Sequence, residues 1–358
     1  MPLFSCETNQ RQKTDSIIGG MFGLESAIDP QVGKPHFLTG RDVFLINGRS
    51  SIWLLVDRLR PPQVWVPSYL CPRILGAINP KVTVPCFYEV DYDLKVQSNQ
   101  WVSEIKSGDM VIFIDYFGFP YDRRLTVDVK ERGAWVVEDA CQALLSSHVG
   151  TSSDFVFFSL VKWIGAPDGG ILRFPESISI EGFSLEAPAT TWWLKALQAS
   201  VLRREFDDGL PTRELWFKLF RETDYTMPTG PYAMSDLSET IMKHSVDYSI
   251  IEGRRVENYR ALLERLAAYA IFPRIEPSVI PLGFPVRVAN RDAIRQRLFD
   301  HQIYPPVHWL IDGVVPRKYE DSHRLAGEIM TLPCDQRYSV KDMERMAEAF
   351  LQGSPQNG

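Results

Sequence analysis

Apolar positions along the chain gather in short unbroken runs, separated by stretches of helical spacing. Val64-Trp65-Val66, residues 82–88, residues 110–114 (MVIFI), Trp135-Val136-Val137 and residues 155–158 (FVFF) have the length and content of strands buried on both faces. Residues 42–46 (DVFLI) predict a further short strand. Residues 51–59 repeat with a helical period and stop at Pro61-Pro62, where the ring excludes helix. Residues 73–78, 101–106 and 125–131 predict other helical pieces. Strands alternating with helices predict βαβ units: an α/β fold with a mainly parallel central sheet and helices on both faces. After Phe174 the pattern changes. Residues 190–220 predict helix, with Trp192, Trp193 and Trp216 on it. Residues 235–269 predict one long helix or two joined ones, with Leu237, Ile241, Val246 and Leu262 on the apolar face. A strand at 286–288 and helices at 291–301 and 340–351 complete a small α+β unit. The expected division is a large α/β domain over 1–240 and a small C-terminal α+β domain over 241–358.

Composition changes this picture little. The chain has 358 residues, 45% of them hydrophobic and 23% charged, enough apolar material for a sizeable core. A net charge of −6 argues against a nucleic-acid or anionic-membrane partner. No apolar run approaches the roughly 20 residues that span a bilayer, and the polar start MPLFSCETNQRQKTDS lacks a signal peptide's apolar segment. Cys6, Cys71, Cys86, Cys141 and Cys334 are odd in number and scattered, which suits a reducing cytoplasm. No metal site is expected, because the six histidines show no ligand spacing.

The candidate chemistry lies in residues 135–173. Asp139 ends one apolar run, Ser159 and Lys162 follow the next, and Gly169-Gly170 follow the lysine. Ends of neighbouring buried strands are where open α/β sheets bind ligands. A lysine inside FFSLVKWIGA is paired, snorkels over Trp163, or is used covalently. Burial lowers a lysine's pKa and frees its amine for a carbonyl carbon. Asp139 either caps a turn or holds a protonated ring nitrogen, and Gln142 lies three residues on, on the same side if a helix starts there. Ser159 either bonds back to the main chain or donates to a phosphate. Gly48-Arg49-Ser50-Ser51 opens a helix, so it is either an ordinary cap or an anion site built from unpartnered amides.

Taken in order, these residues resemble the DegT/DnrJ/StrS sugar aminotransferases, which use pyridoxal 5'-phosphate on the fold type I scaffold. The resemblance runs over residues 37–351. Glu138-Asp139-Ala140 with Gln142 is similar to the family's acid element, Lys162-x5-Asp168-Gly169-Gly170 to its lysine element, and residues 48–51 to its phosphate turn. The resemblance implies that Lys162 bonds the cofactor and carries protons, and that Asp139 binds the pyridine nitrogen. It implies that Gln142 contacts the ring-hydroxyl side, and that Ser159 with the Arg49 and Ser50 amides holds the phosphate. His308 would meet the substrate, and a homodimer is implied.

The chain departs from the family pattern at several positions. Cys71 stands where a ring-stacking aromatic is usual, leaving Tyr69 or Cys71 to face the cofactor. Ser159 lies only three residues before Lys162. Pro231 and Ala233 replace the asparagine and arginine that reach the neighbouring subunit's phosphate, and Asp115 replaces a histidine. The expected function is transfer of an amino group, from glutamate or glutamine, to a keto group of a nucleotide-linked sugar or related cyclic ketone. The alternative is a regulatory protein of the same fold without transaminase activity.

Overall fold

The computed structural model describes residues 17–25, 35–96, 100–180 and 182–352. The polar start and part of the expected lead-in therefore lie outside the described residues. The strands are β1 (Ile18–Gly19), β2 (Asp42–Leu45), β3 (Gln63–Pro67), β4 (Val84–Tyr88), β5 (Met110–Ile114), β6 (Trp135–Asp139), β7 (Phe155–Ser159), β8 (Gly170–Arg173), β9 (Phe284–Arg287), β10 (Ile303–Tyr304) and β11 (Ile329–Leu332). The helices are α1 (Gly48–Leu59), α2 (Arg124–Glu131), α3 (Thr190–Asp207), α4 (Arg213–Thr226), α5 (Asp236–His244), α6 (Tyr248–Leu266), α7 (Arg291–Asp300), α8 (Glu320–Glu328) and α9 (Val340–Leu351).

Seven strands form the central sheet in the order β2-β8-β7-β6-β5-β3-β4. Every pairing is parallel except those of β8, which runs against both β7 and β2. Both faces are covered, as the unbroken apolar runs require. Phe155 and Phe157 of β7 enter one core with Ile52 and Leu55 of α1. Val156 and Phe158 enter a second core with Ile241 and Met242 of α5 and Ile251 of α6. Each such fully buried side chain contributes about 1.5–3 kcal/mol.

Local signals set the helix limits. Asn47 caps α1 by accepting the Ser50 N–H, and Arg60 ends it in a left-handed conformation before Pro61-Pro62. The long helical stretch is broken into α5 and α6, because Ser235 and Asp247 each cap a new start. A Ser339–Asp342 capping box opens α9. Toward the C-terminus β9 and β11 pair antiparallel, and α9 packs on α6 and α7.

Several elements differ from the pattern-based expectation. The pieces at 73–78 and 101–106 are 3-10 turns, Pro72–Ala77 and Gln100–Glu104, too short to carry an α-helical stripe. The run 190–220 is two helices, α3 and α4, separated at Gly209 with φ 95°. The short strands β1 and β10 and the mostly polar α8 carry little periodic signal.

Candidate active site

The site forms where the ends of β6 and β7 meet the start of α1, and two glycines make that meeting possible. A Cβ on Gly170 would lie 2.2 Å from the Asn47 carbonyl carbon and 2.7 Å from the Gly48 nitrogen. A Cβ on Gly48 would lie 2.8 Å from Cys141 Sγ. Backbone therefore packs on backbone, and β8, α1 and the turn after β6 converge. Asp168, just before Gly169, accepts the Ser235 N–H at 3.2 Å and its hydroxyl at 2.9 Å, tying the lysine loop to the start of α5. The Lys-x5-Asp-Gly-Gly spacing thus has a physical cause: the acid anchors the loop and the glycines admit the helix.

Asp139 ends β6 and is buried; its Oδ1 accepts one hydrogen bond, from the Cys141 N–H at 3.0 Å. Burial pushes its carboxyl pKa up, while the Lys162 charge and the Cys141 amide pull it back. Lys162, in the 3-10 turn Leu160–Lys162 after β7, makes no hydrogen bond and no ion pair. The expectation that burial would lower its pKa is reversed here. Burial does oppose its charge, but Cys141, Asp139 and Cys71 outweigh it, and the ammonium is held above its usual range. Burial and Asp139 push the Cys141 thiol well up, so it is neutral at neutral pH.

At the start of α1 the cap decides which groups are free. Asn47 Oδ1 takes the Ser50 N–H at 3.0 Å, and Ser50 Oγ accepts the Gly230 N–H at 3.3 Å. The Ser50 amide expected to hold a phosphate is therefore already bonded. Arg49 is half-buried, with no hydrogen bond or ion pair. Burial lowers its pKa, and so does the neighbouring Arg73. Ser159, at the end of β7, makes no side-chain bond to the turn that follows.

The remaining expected residues divide. Gln142 accepts the Phe117 N–H at 2.8 Å through Oε1, while its buried Nε2 has no partner. It stands in a tight turn, where the Ala143 N–H reaches the Ala140 carbonyl, and not in a helix. His308 comes from the far end of the chain to within electrostatic reach of Lys162. Its Nδ1 lies 2.9 Å from Thr331 Oγ1, and burial with the Lys162 charge lowers its pKa to about 3. Tyr69 is not brought to an open face. Its ring is wholly enclosed, 6.0 Å from the ring of Tyr116 and 5.6 Å from that of Trp309. Cys71, two residues on, is half-buried and within electrostatic reach of Arg49, Lys162 and Cys141. The pattern of the sequence missed Arg73, Asn47 and Cys141, since none belongs to a motif and each matters only through the fold.

No family model matches the chain, and no curated protein matches it in sequence. Solved structures do match. A candidate sugar aminotransferase of Streptococcus pneumoniae, Spr1654, in its PLP form, is 16% identical; the match covers 87% of this chain and 86% of that one, with a TM-score of 0.64. DesV of S. venezuelae, in complex with a ketimine intermediate, is 17% identical over 91% and 87%, with a TM-score of 0.64. DesI, in the presence of its TDP-sugar product, is 18% identical over 86% and 79%, with a TM-score of 0.62. At these identities the likeness establishes the fold, which is the one the sequence resemblance implied.

Proposed function

We propose that the chain is a pyridoxal-phosphate-dependent aminotransferase. It would move an amino group from glutamate or glutamine to a keto group of a nucleotide-linked sugar or related cyclic ketone. The observation that carries this reading is Lys162: a half-buried, unpartnered lysine at one strand end, within electrostatic reach of a buried carboxylate at the next. Pyridoxal phosphate, when bound, supplies a carbonyl carbon for amines and an electron-accepting ring.

The residues present fit that group. Gln142 Nε2 is a buried donor with nothing to bond, and Arg49 is an unpaired cation. Asp139 would hold the proton on the ring nitrogen. Lys162 Nζ would bond the carbonyl carbon and, once displaced by a substrate amine, accept and return a proton. Asp139, occupied by the ring nitrogen, would no longer support the Lys162 charge. Burial would then dominate and shift the lysine toward the neutral form that a base needs. His308, neutral across physiological pH with Nδ1 bonded to Thr331, would present Nε2 to the substrate.

Structures of similar fold solved with PLP or with a TDP-sugar product support the cofactor and the acceptor class. A homodimer in the cytoplasm belongs to the same reading, as does the division of the chain at residue 240. No described helix is long and apolar enough to cross a membrane. The test is optical. Purified protein given PLP should develop a visible absorption band that shifts on adding glutamate or glutamine. A protein that stays colourless refutes the reading. A band that no amino donor changes supports the regulatory alternative, which the half-buried Cys71 in place of an aromatic ring favours.

A further inference from the structure

We propose that Arg49, backed by Arg73, is a phosphate clamp supplied by this chain alone, and that it grips the phosphate dianion of the cofactor. The ligand's identity rests on the aminotransferase reading; the clamp itself rests on the geometry. Arg73 rises from the 3-10 turn Pro72–Ala77 and is fixed by Asp224 at the end of α4, through its carboxylate at 2.8 Å and its carbonyl. Arg49, in the first turn of α1, has no such partner. Among the described residues the carboxylate acting on Arg49, Asp224, is spent on Arg73, and Asp139 faces Lys162. Three cations, Arg49, Arg73 and Lys162, thus meet around a site with two carboxylates, and Arg49 is the surplus charge. An unpaired guanidinium beside another is unfavourable until an anion arrives.

Two more features point the same way. Ser51 Oγ, fully buried in the same helical turn, has no hydrogen-bond partner. The segment carrying Pro231 and Ala233 folds onto its own α1: Asn47 Nδ2 donates to the Pro228 carbonyl at 2.8 Å, and the Gly230 N–H to Ser50 Oγ. That segment brings no charge. The positive charge expected from a neighbouring subunit is instead placed by Arg49, inside the same chain.

The experiment titrates wild type and Arg49→Leu with PLP and with pyridoxal, which lacks the phosphate, following the absorption band. Arg49→Leu should weaken PLP about tenfold to a hundredfold and leave pyridoxal affinity unchanged, with Arg49→Lys in between. Equal loss of both ligands, or no loss of either, overturns the clamp. Unchanged thermal unfolding of both variants shows that folding is not the cause. If wild type binds neither ligand, the aminotransferase reading fails. Calorimetry with inorganic phosphate then decides the clamp: binding that Arg49→Leu removes upholds it, and no binding overturns it.

Discussion

Glu138 and Asp139 are neighbours at the end of β6, equally buried, and they point to opposite faces of the sheet. Glu138 is fully engaged. Its Oε1 accepts from Arg123 at 2.7 Å, and its Oε2 from the Gly150 N–H at 3.0 Å and the Ser153 hydroxyl at 2.7 Å. Arg123 also reaches Asp115 at 3.2 Å, closing a network that binds two loops to the sheet. Asp139 has one backbone donor and an unbonded lysine across from it. Leaving a buried charge under-satisfied costs free energy, so it persists only where the surrounding fold enforces it. The two acids show how one strand end serves structure on one face and chemistry on the other. The arginines repeat the contrast, with Arg73 paired and Arg49 free.

The largest effect should come from the chemical face. Lys162→Ala should slow the glutamate half-reaction by about 10³-fold or more, while PLP still binds without a covalent link. Stopped-flow spectra measure both, and turnover at the wild-type rate would remove Lys162 from its role. A smaller effect separates the neighbouring acids. Asp139→Asn should slow the same half-reaction by about 10²-fold with little change in unfolding. Glu138→Ala should do the reverse, costing about 3 kcal/mol by denaturant midpoint because Arg123 loses a buried partner, with the half-reaction rate nearly kept. If both variants lose rate equally, the two faces are not separate.

Much of this contrast was legible in the sequence. The apolar runs located every strand of the central sheet except β8, whose Gly-Gly start reads as a turn. Asp139, Lys162 and Gln142 stood out by residue type and order, and His308 by the family resemblance; the fold brings Asp139 and His308 each within electrostatic reach of Lys162. What was not legible depended on who bonds whom. The side chain of Asn47 takes the Ser50 amide, the Tyr69 ring turns inward to Tyr116 and Trp309, and Arg73 finds Asp224 some 150 residues away. The sign of the Lys162 shift had the same origin. Burial can be guessed from an apolar run, but the charges that outweigh it arrive from other strands and loops.

The smallest effect lies in how stability varies with pH. The Glu138 pKa is pushed up to about 8, by burial first and then by Asp115 beside it, from a usual value of 4.5. Between those values the folded state holds a proton that the unfolded chain has lost, so stability falls as pH rises from 4.5 through 8. His308 and His148 act in the opposite sense. Burial, with the charge of Lys162 on one and of Arg123 on the other, lowers them to about 3 and about 4, from 6.5. Below 6.5 the unfolded chain takes up protons that the folded one refuses, so stability is lost as pH falls from 6.5 toward those values. Stability should therefore decline on both sides of mildly acidic pH. Glu138→Gln should flatten the alkaline side and steepen the acidic side, because between pH 4.5 and 6.5 the Glu138 contribution opposes that of the histidines. Asp139, also raised by burial, loses stability in the same sense as pH climbs above its usual value, but its share should vanish when PLP occupies it. Denaturant midpoints from pH 5 to 9, with and without PLP, separate the two acids. Cofactor should reduce the loss of stability with rising pH in Glu138→Gln as much as in wild type, since it meets only one of the two faces. A slope that PLP does not alter would mean that Asp139 is no more open to a ligand than its neighbour.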